Sequence, residues 1–475
     1  MRRIGVLGAG IAAAGISAAV LAAPANAAGW AAGGAKVEIT PPAEGLKGTD
    51  IIHDSTFVRA IWFSDGKTCG ALVAADLGSM ENDIAEEATK RIVAAQHCPR
   101  ENLVISATHT HSPGTPFGAR NPVLTEKFIN AIVRSVADAA AHPRPVSIHY
   151  SAGTVDLNSN RDLLDGQNRW TQAPNPGGAS DKTVAVIDFR GADGVPVGVY
   201  MTYAMHPINW FMTGVVSADF PGVATRYVED MFNGVPVAVF AQGASGNQNP
   251  RMLEEPYVTS VMVGLGETLR KGASGTLPIP PTAPNGTMMP YQGITNWPVP
   301  DKDLATWRKA VESNGRLVDA EGSIIGETVV DLIRNERGEG EAAALWGGVA
   351  ETTCPGRDRT DTANPARENA LPPYADGVDV KLKIGVLRLG SIDVASLNGE
   401  AYTEIGQELK ARASHTRTML VTLANGRANS GYIYSDNAAR NLSFQVIGSR
   451  LKPGCAQATI VNTALKLMAQ ADAAK

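Results

Sequence analysis

The stretch Val104–Gly118, VISATHTHSPGTPFG, constrains the fold more than any other part of this chain. Its apolar start, with Val104, Ile105 and Ala107, reads as the end of a buried strand. The run stops at two histidines spaced i, i+2 and then at a Ser-Pro-Gly turn. Alternate residues of an extended backbone share a face, so His109 and His111 are expected to point the same way from the strand tip. Such a pair can hold a divalent metal when further ligands arrive from elsewhere in the chain.

The same arrangement, an apolar run emptying into polar residues, recurs along the sequence. Lys36–Pro42 reads as a first strand. Val58–Phe63 and Gly70–Leu77 flank a turn containing Asp65-Gly66, which predicts a hairpin. Met80–Ala95 has Ile84, Ala88, Ile92 and Ala95 on one face of a helix, and Val123–Ala141 is a second amphipathic helix behind Pro122. Val146–Ala152 and Thr154–Leu157 are strand-like and lead into an Asn-rich loop, Asn158–Arg161. Thr183–Phe189 and Val197–Ala204 form a strand pair, the second running straight into His206. A helix over Phe220–Phe232 precedes a strand, Val235–Phe240, that empties into Ala241–Pro250, AQGASGNQNP. Leu253–Lys271 is expected to be helical.

Two segments differ in character. Ser274–Asp303 is rich in Pro and Gly, and Thr352–Asp376 in Thr, Arg, Pro and Asp, with a helix around Leu304–Ile333 between them. Segments this long suggest inserted loops that wall a site. Regular structure resumes with strands Val378–Leu389 and Ile392–Leu397, then Glu400, a helix through Ala411, a strand Met419–Leu423 and a final helix from Pro453 to Ala469. The fold class is α/β: a mixed β-sheet core flanked by helices, with a site formed by loops at strand ends and long Pro/Gly-rich inserted loops.

His109, His206, the Gly246–Pro250 loop, Glu400 and the Asn425–Tyr434 segment all follow strands. In sheet-based enzymes such loops converge on the active site. His109 and His206 offer imidazoles and Glu400 a carboxylate, a donor set that suits a catalytic divalent metal. His111 can either bind the metal too or serve the reacting oxygen. The other histidines, His53, His97, His142, His149 and His415, read as structural.

The chain begins MRRIGVLGAGIAAAGISAAVLAAPANA, a positive start, an apolar run and an A-x-A ending, which reads as a signal peptide over residues 1–27 and implies secretion. Its removal takes two arginines and moves the formal net charge from −5 to −7. A mildly acidic chain without basic runs is a poor nucleic-acid binder, and no later segment is apolar enough to span a bilayer. Four cysteines, Cys69, Cys98, Cys354 and Cys455, permit two disulfides in any of three pairings. None forms a C-x-x-C motif, so a cysteine zinc site is not expected.

In this order, ATHTHSPG, MHPINW…VSADFPGVA, QGASGNQNP, LNGE and ANSGYI resemble the catalytic domain of neutral (non-lysosomal) ceramidases and their shorter bacterial relatives. The resemblance spans roughly Val37–Met468 and is weakest over Ser274–Asp376. It implies a zinc-dependent amidohydrolase that cleaves the amide of N-acylated, lipid-like substrates, with ceramide as the type substrate and peripheral contact with a membrane surface. Carried over by position, the zinc ligands are His109, His206, Glu400 and Tyr432, with Tyr434 a competitor for the last. His111 matches the second histidine of the motif, and Arg161 an arginine that helps to bind substrate. The resemblance also implies one catalytic domain over 28–475, with a variable insert at about 274–376.

Two departures from the family stand out. The ceramidase loop GDVSPN contains a serine important for catalysis. Here Asn249 stands at that serine and Asn247 at the aspartate, while Ser245 lies upstream and does not match. Asn249 cannot act as an activated hydroxyl, so metal-activated water is the expected nucleophile, with Asn249 or backbone N–H groups holding the substrate oxygen. The chain also stops soon after the helix that follows Tyr432, so the family's C-terminal β-sandwich domain is expected to be absent. These departures keep open a zinc hydrolase of another amide or ester, or a non-catalytic lipid-binding member. Apolar walls for an acyl chain are expected from Ile279–Val299, with Met288, Met289, Tyr291 and Trp297.

Overall fold

A computed structural model describes residues 29–42, 51–114, 122–210, 215–252, 304–361 and 369–474. The signal peptide, the Leu253–Lys271 helix and the Ser274–Asp303 segment expected from the sequence lie outside the described residues, as do Met288, Met289, Tyr291 and Trp297.

Leu103–Ala107 is a strand with every residue buried, and its one polar side chain, Ser106, donates to Val73 O at 3.1 Å. It lies at one edge of an eight-stranded mixed sheet, and Val237–Gln242 lies at the other. The Asp65-Gly66 turn joins strands Phe57–Ser64 and Cys69–Ala75 as the expected antiparallel hairpin. Both edge strands pair in parallel, Leu103–Ala107 with Cys69–Ala75 and Val237–Gln242 with Pro196–Tyr203. Parallel neighbours need crossovers, and the helices Asn82–Gln96 and Asp219–Met231 supply them.

A second sheet holds Leu345–Arg359, Tyr374–Leu389, Ile392–Leu397 and Thr418–Val421. Its last two strands are again parallel, joined through the helix Thr403–Arg412. The two sheets pack face to face. Phe63, Leu72, Val104, Ile187, Phe189 and Val239 of the first meet Leu387, Leu389, Val394 and Met419 of the second in one buried cluster. Helices Asn82–Gln96, Pro122–Ala141, Asp219–Met231 and Leu304–Asn335 cover the far face of the first sheet, and Thr403–Arg412 and Ala456–Ala473 that of the second. The result is four layers, helix, sheet, sheet and helix, which fits the expected α/β class with a mixed sheet flanked by helices.

Two expectations need correction. Thr352–Asp376 is not one long loop: Leu345–Arg359 and Tyr374–Leu389 form an antiparallel ribbon. Its polar composition hides an alternation in which Glu351 and Thr353 are exposed while Thr352 and Cys354 are more buried. Arg161 is likewise not in a loop, because Asn158–Leu164 is a strand paired with Gln248–Pro250. The asparagines suit it because their side chains satisfy neighbouring backbone groups, such as Ala204 O and Ala179 O.

The cysteines pair Cys69–Cys98 and Cys354–Cys455, with sequence separations of 29 and 101. The second ties the polar ribbon to the C-terminal helix. A longer closed loop removes more entropy from the unfolded chain, by about 1 kcal/mol for this difference in length. Cys354→Ser/Cys455→Ser should therefore lower stability by about 2–4 kcal/mol, and by more than Cys69→Ser/Cys98→Ser. Urea midpoints of the two double variants check the order.

Candidate metal centre

His109 follows the Leu103–Ala107 strand and sits at a left-handed φ of 71°. A non-glycine residue held there must be fixed by its surroundings. Its backbone N–H donates to Leu77 O at 3.0 Å, and its Nδ1 lies 2.5 Å from Gly78 O. The neighbouring Asp76 is anchored in turn by Arg59 Nη1 at 2.8 Å and by Phe57 N–H at 2.8 Å. Both Arg59 and Asp76 are buried, so removing either would leave a buried charge unpaired, at a cost of about 3–5 kcal/mol.

His206 follows the Pro196–Tyr203 strand and is fully buried. Its N–H donates to Gln248 O at 3.0 Å, and its Nδ1 faces Ser245 O at 2.8 Å and Gln248 O at 3.1 Å. Carbonyls only accept, so the Nδ1 atoms of His109 and His206 carry the protons. In the neutral rings, both Nε2 atoms are then bare lone pairs, yet they face each other at 3.1 Å. His111 Nε2 lies 3.5 Å from His109 Nε2. The ligand atoms of the three histidines all lie within 4.8 Å of one another.

Glu400, at the end of the second sheet, completes the group. Its Oε2 is 3.3 Å from His109 Nε2 and 3.7 Å from His206 Nε2, and among the described residues it is buried without a hydrogen-bond donor. Ligands about 2.0–2.1 Å from a tetrahedral zinc lie roughly 3.4 Å apart, close to these separations. Facing lone pairs and an orphaned carboxylate oxygen are repulsive alone and complementary to a cation, so the donor set fits a divalent metal. Burial, and then the Arg161 charge, push the His206 pKa down to about 3. Burial, helped by His109 and His206, holds His111 well below its usual range. Neutral imidazole is the form that binds metal.

Tyr432 pairs in register with Glu400 across two short parallel strands. Its ring centroid is 6.4 Å from that of His206, and the Arg161 guanidinium lies 5.2 Å from the ring. Burial and Glu400 push its pKa up to about 12, while Arg161 opposes them. Tyr434 points elsewhere, its hydroxyl donating to Leu451 O at 2.8 Å. Arg161 is buried and donates to Asn249 Oδ1 at 3.2 Å and to Gly246 O at 2.7 Å. With its amide oriented by the local network, Gln445 accepts from Arg161 Nε at 2.6 Å. All three acceptors are neutral.

Asn249 reaches the centre through Arg161. Asn247 is turned away, accepting from Thr403 N–H at 2.9 Å and donating to Glu404 at 2.9 Å. Two residues at the site carried no signal in the sequence. Gln445 holds Arg161, and Phe444, 40% exposed, places its ring 6.3 Å from that of Tyr432. Both sit on a five-residue helix, too short for periodicity to mark.

Residues 43–258 match the family described as neutral/alkaline non-lysosomal ceramidase, N-terminal. That span contains His109, His111, Arg161, His206 and Asn249, whereas Glu400 and Tyr432 lie beyond it. The crystal structure of neutral ceramidase from Pseudomonas aeruginosa superposes with a TM-score of 0.63 at 18% identity, covering 94% of this chain and 75% of that chain. A ceramidase complexed with C2 superposes with a TM-score of 0.64 at 16% identity, covering 94% of this chain and 76% of that one. The chain thus has a family-level match to the neutral/alkaline non-lysosomal ceramidases and shares their fold.

The two tyrosines separate experimentally. Tyr432→Phe should weaken metal retention, whereas Tyr434→Phe should leave it unchanged and lose only the Leu451 hydrogen bond, about 1 kcal/mol of stability. Metal content after dialysis, with thermal melting alongside, checks both. Equal retention in the two variants would remove Tyr432 from the centre.

Proposed function

We propose that this protein is a secreted, zinc-dependent amidohydrolase of N-acylated, lipid-like substrates, with ceramide as the reference substrate. The observation that carries the reading is the set of facing imidazole lone pairs beside the orphaned Glu400 oxygen. His109, His206 and Glu400 are the ligands we assign, with Tyr432 as the fourth. Zinc bound there would supply an acidified water and a Lewis acid for a carbonyl oxygen. His111, at the rim of the cluster, is assigned to hold the reacting oxygen and exchange its proton.

Arg161 and Asn249 act together in this reading. Arg161 is a buried charge whose hydrogen-bond acceptors Asn249, Gly246 and Gln445 are neutral, with Asp162 beside it, and it is assigned to face an oxygen that gains negative charge. Asn249 fixes one of its nitrogens, which makes Asn249 a positioning residue in place of the family's serine. Phe444 beside Tyr432 supports an apolar group at the mouth of the site. Among the described residues no helix is long and apolar enough to cross a membrane, and contact with a lipid surface is proposed to be peripheral. The single catalytic domain over 28–475 and the signal peptide over 1–27 are part of the same proposal.

Asn249 also favours a second reading, a zinc hydrolase of another amide or ester, because it removes the hydroxyl of the ceramidase pattern. Purified protein should hold about one zinc per chain. His206→Ala should lose both zinc and turnover, while Asn249→Ala should keep zinc and lower turnover about tenfold. A panel of fluorescent N-acyl amides and esters separates the readings. Cleavage of short amides or esters with none of N-acylsphingosine would favour the second. Absence of zinc, with melting unmoved by chelator, would overturn both.

A further inference from the structure

The helix Leu304–Asn335 buries a stripe of Val311, Asn314, Val318, Glu321 and Ile325. Its spacing is that of an apolar helix face, yet two of the five residues are polar. Both reach the loop that carries His206. Asn314 Nδ2 donates to the backbone oxygen of Asn209. Asn209 Nδ2 in turn donates to Glu321 Oε2 at 2.8 Å and to Asp219 Oδ1 at 2.9 Å. Asn209, Asp219 and Glu321 are all fully buried. Among the described residues, Asp219 Oδ2, Glu321 Oε1 and Asn209 Oδ1 have no hydrogen-bond partner.

Two carboxylates that accept from the two hydrogens of one amide nitrogen hold their accepting oxygens about 5 Å apart, and in a buried site without a counter-charge the ionisation of one opposes that of the other. Among the described residues, Arg226 and His53 do not supply one. Arg226 is engaged by Asp54 at 2.8 Å, and His53 by the same Asp54 at 3.2 Å. Asp54 adds repulsion on Asp219, and Asp319, on the same helix as Glu321, acts on His53 instead. The helix is also locked in place, since a Cβ at Gly322 would lie 2.4 Å from Val223 and one at Gly326 would lie 2.7 Å from Tyr227. The pair therefore has little room to separate.

We infer that the Asp219–Glu321 pair retains one proton, and that this protonated pair, through Asn209, is the strut that positions the His206–Trp210 loop. Glu321 is a positioning residue that acts through Asn209 and touches none of the metal-centre residues. Loss of the proton would set two buried negative charges against each other beneath the loop. The inference rests on the fold and does not depend on the identity of the metal or the substrate. Burial, and then Asp219, push the Glu321 carboxyl up to about 8, with the Asn209 hydrogen bond opposing them. An acid raised in the folded state contributes its stabilisation fully below its unfolded value of 4.5 and loses it as pH rises through about 8.

Glu321→Gln tests this, because its amide supplies fixed hydrogens in place of the retained proton. The melting temperature of the wild-type protein should fall relative to Glu321→Gln from about pH 5 to about pH 9. Hydrogen–deuterium exchange in a Met205–Trp210 peptide, corrected for the intrinsic rate, should accelerate over the same range in the wild type alone. Glu321→Ala should melt below Glu321→Gln at every pH. Parallel melting curves for wild type and Glu321→Gln would overturn the inference, as would coincident curves for the Gln and Ala variants. So would wild-type stabilisation by added Ca2+ or Mg2+ that Glu321→Gln lacks, since a cation would then hold the pair.

Discussion

The structure depends on two imidazole nitrogens that face each other with no proton between them. Backbone carbonyls fix this arrangement from behind, Gly78 O for His109 and Ser245 O and Gln248 O for His206. Each ring donates its Nδ1–H to these carbonyls and so, when neutral, turns a bare Nε2 towards the centre. The rings cannot rotate away without losing these hydrogen bonds in a buried site. Such a centre could coordinate a divalent cation, and the left-handed backbone at His109 aims its ring there.

The carbonyls themselves are placed by a repeated unit of fold. Three parallel strand pairs, each with a crossover helix, end near the same point: Cys69–Ala75 with Leu103–Ala107, Pro196–Tyr203 with Val237–Gln242, and Ile392–Leu397 with Thr418–Val421. The first two lie at opposite ends of one sheet order, and the third belongs to the other sheet. Packing the sheets face to face lets the third bring Glu400 to the histidines of the first two. The join is closed by Asn425, whose side chain accepts from Ile105 N–H at 2.9 Å and donates to Leu103 O at 3.0 Å. It covers the exposed edge of the strand that leads to His109.

Much of this was legible in the sequence because it rests on local pattern. Unbroken apolar runs marked the buried strands, an Asp-Gly marked the hairpin, and helical spacing marked most of the helices. Composition misled where alternation was the better guide, as in the Thr352–Asp376 ribbon, and where asparagines read as a loop proved to be a strand that satisfies its own neighbourhood. Gln445 and Phe444 carried no local signal at all. Their place beside Arg161 and Tyr432 depends on where a five-residue helix docks.

By itself the sequence determined the class of fold, the strand-end positions of His109, His206 and Glu400, and the resemblance that grouped them, because each is set by residue type and short-range spacing. Only the tertiary structure decided which cysteines pair, which tyrosine stands beside Glu400, and that Glu321 lies beneath the His206 loop. These are contacts between residues far apart in the chain. They form only when two sheets and their helices pack, since burial and hydrogen bonding across layers leave no trace in local periodicity.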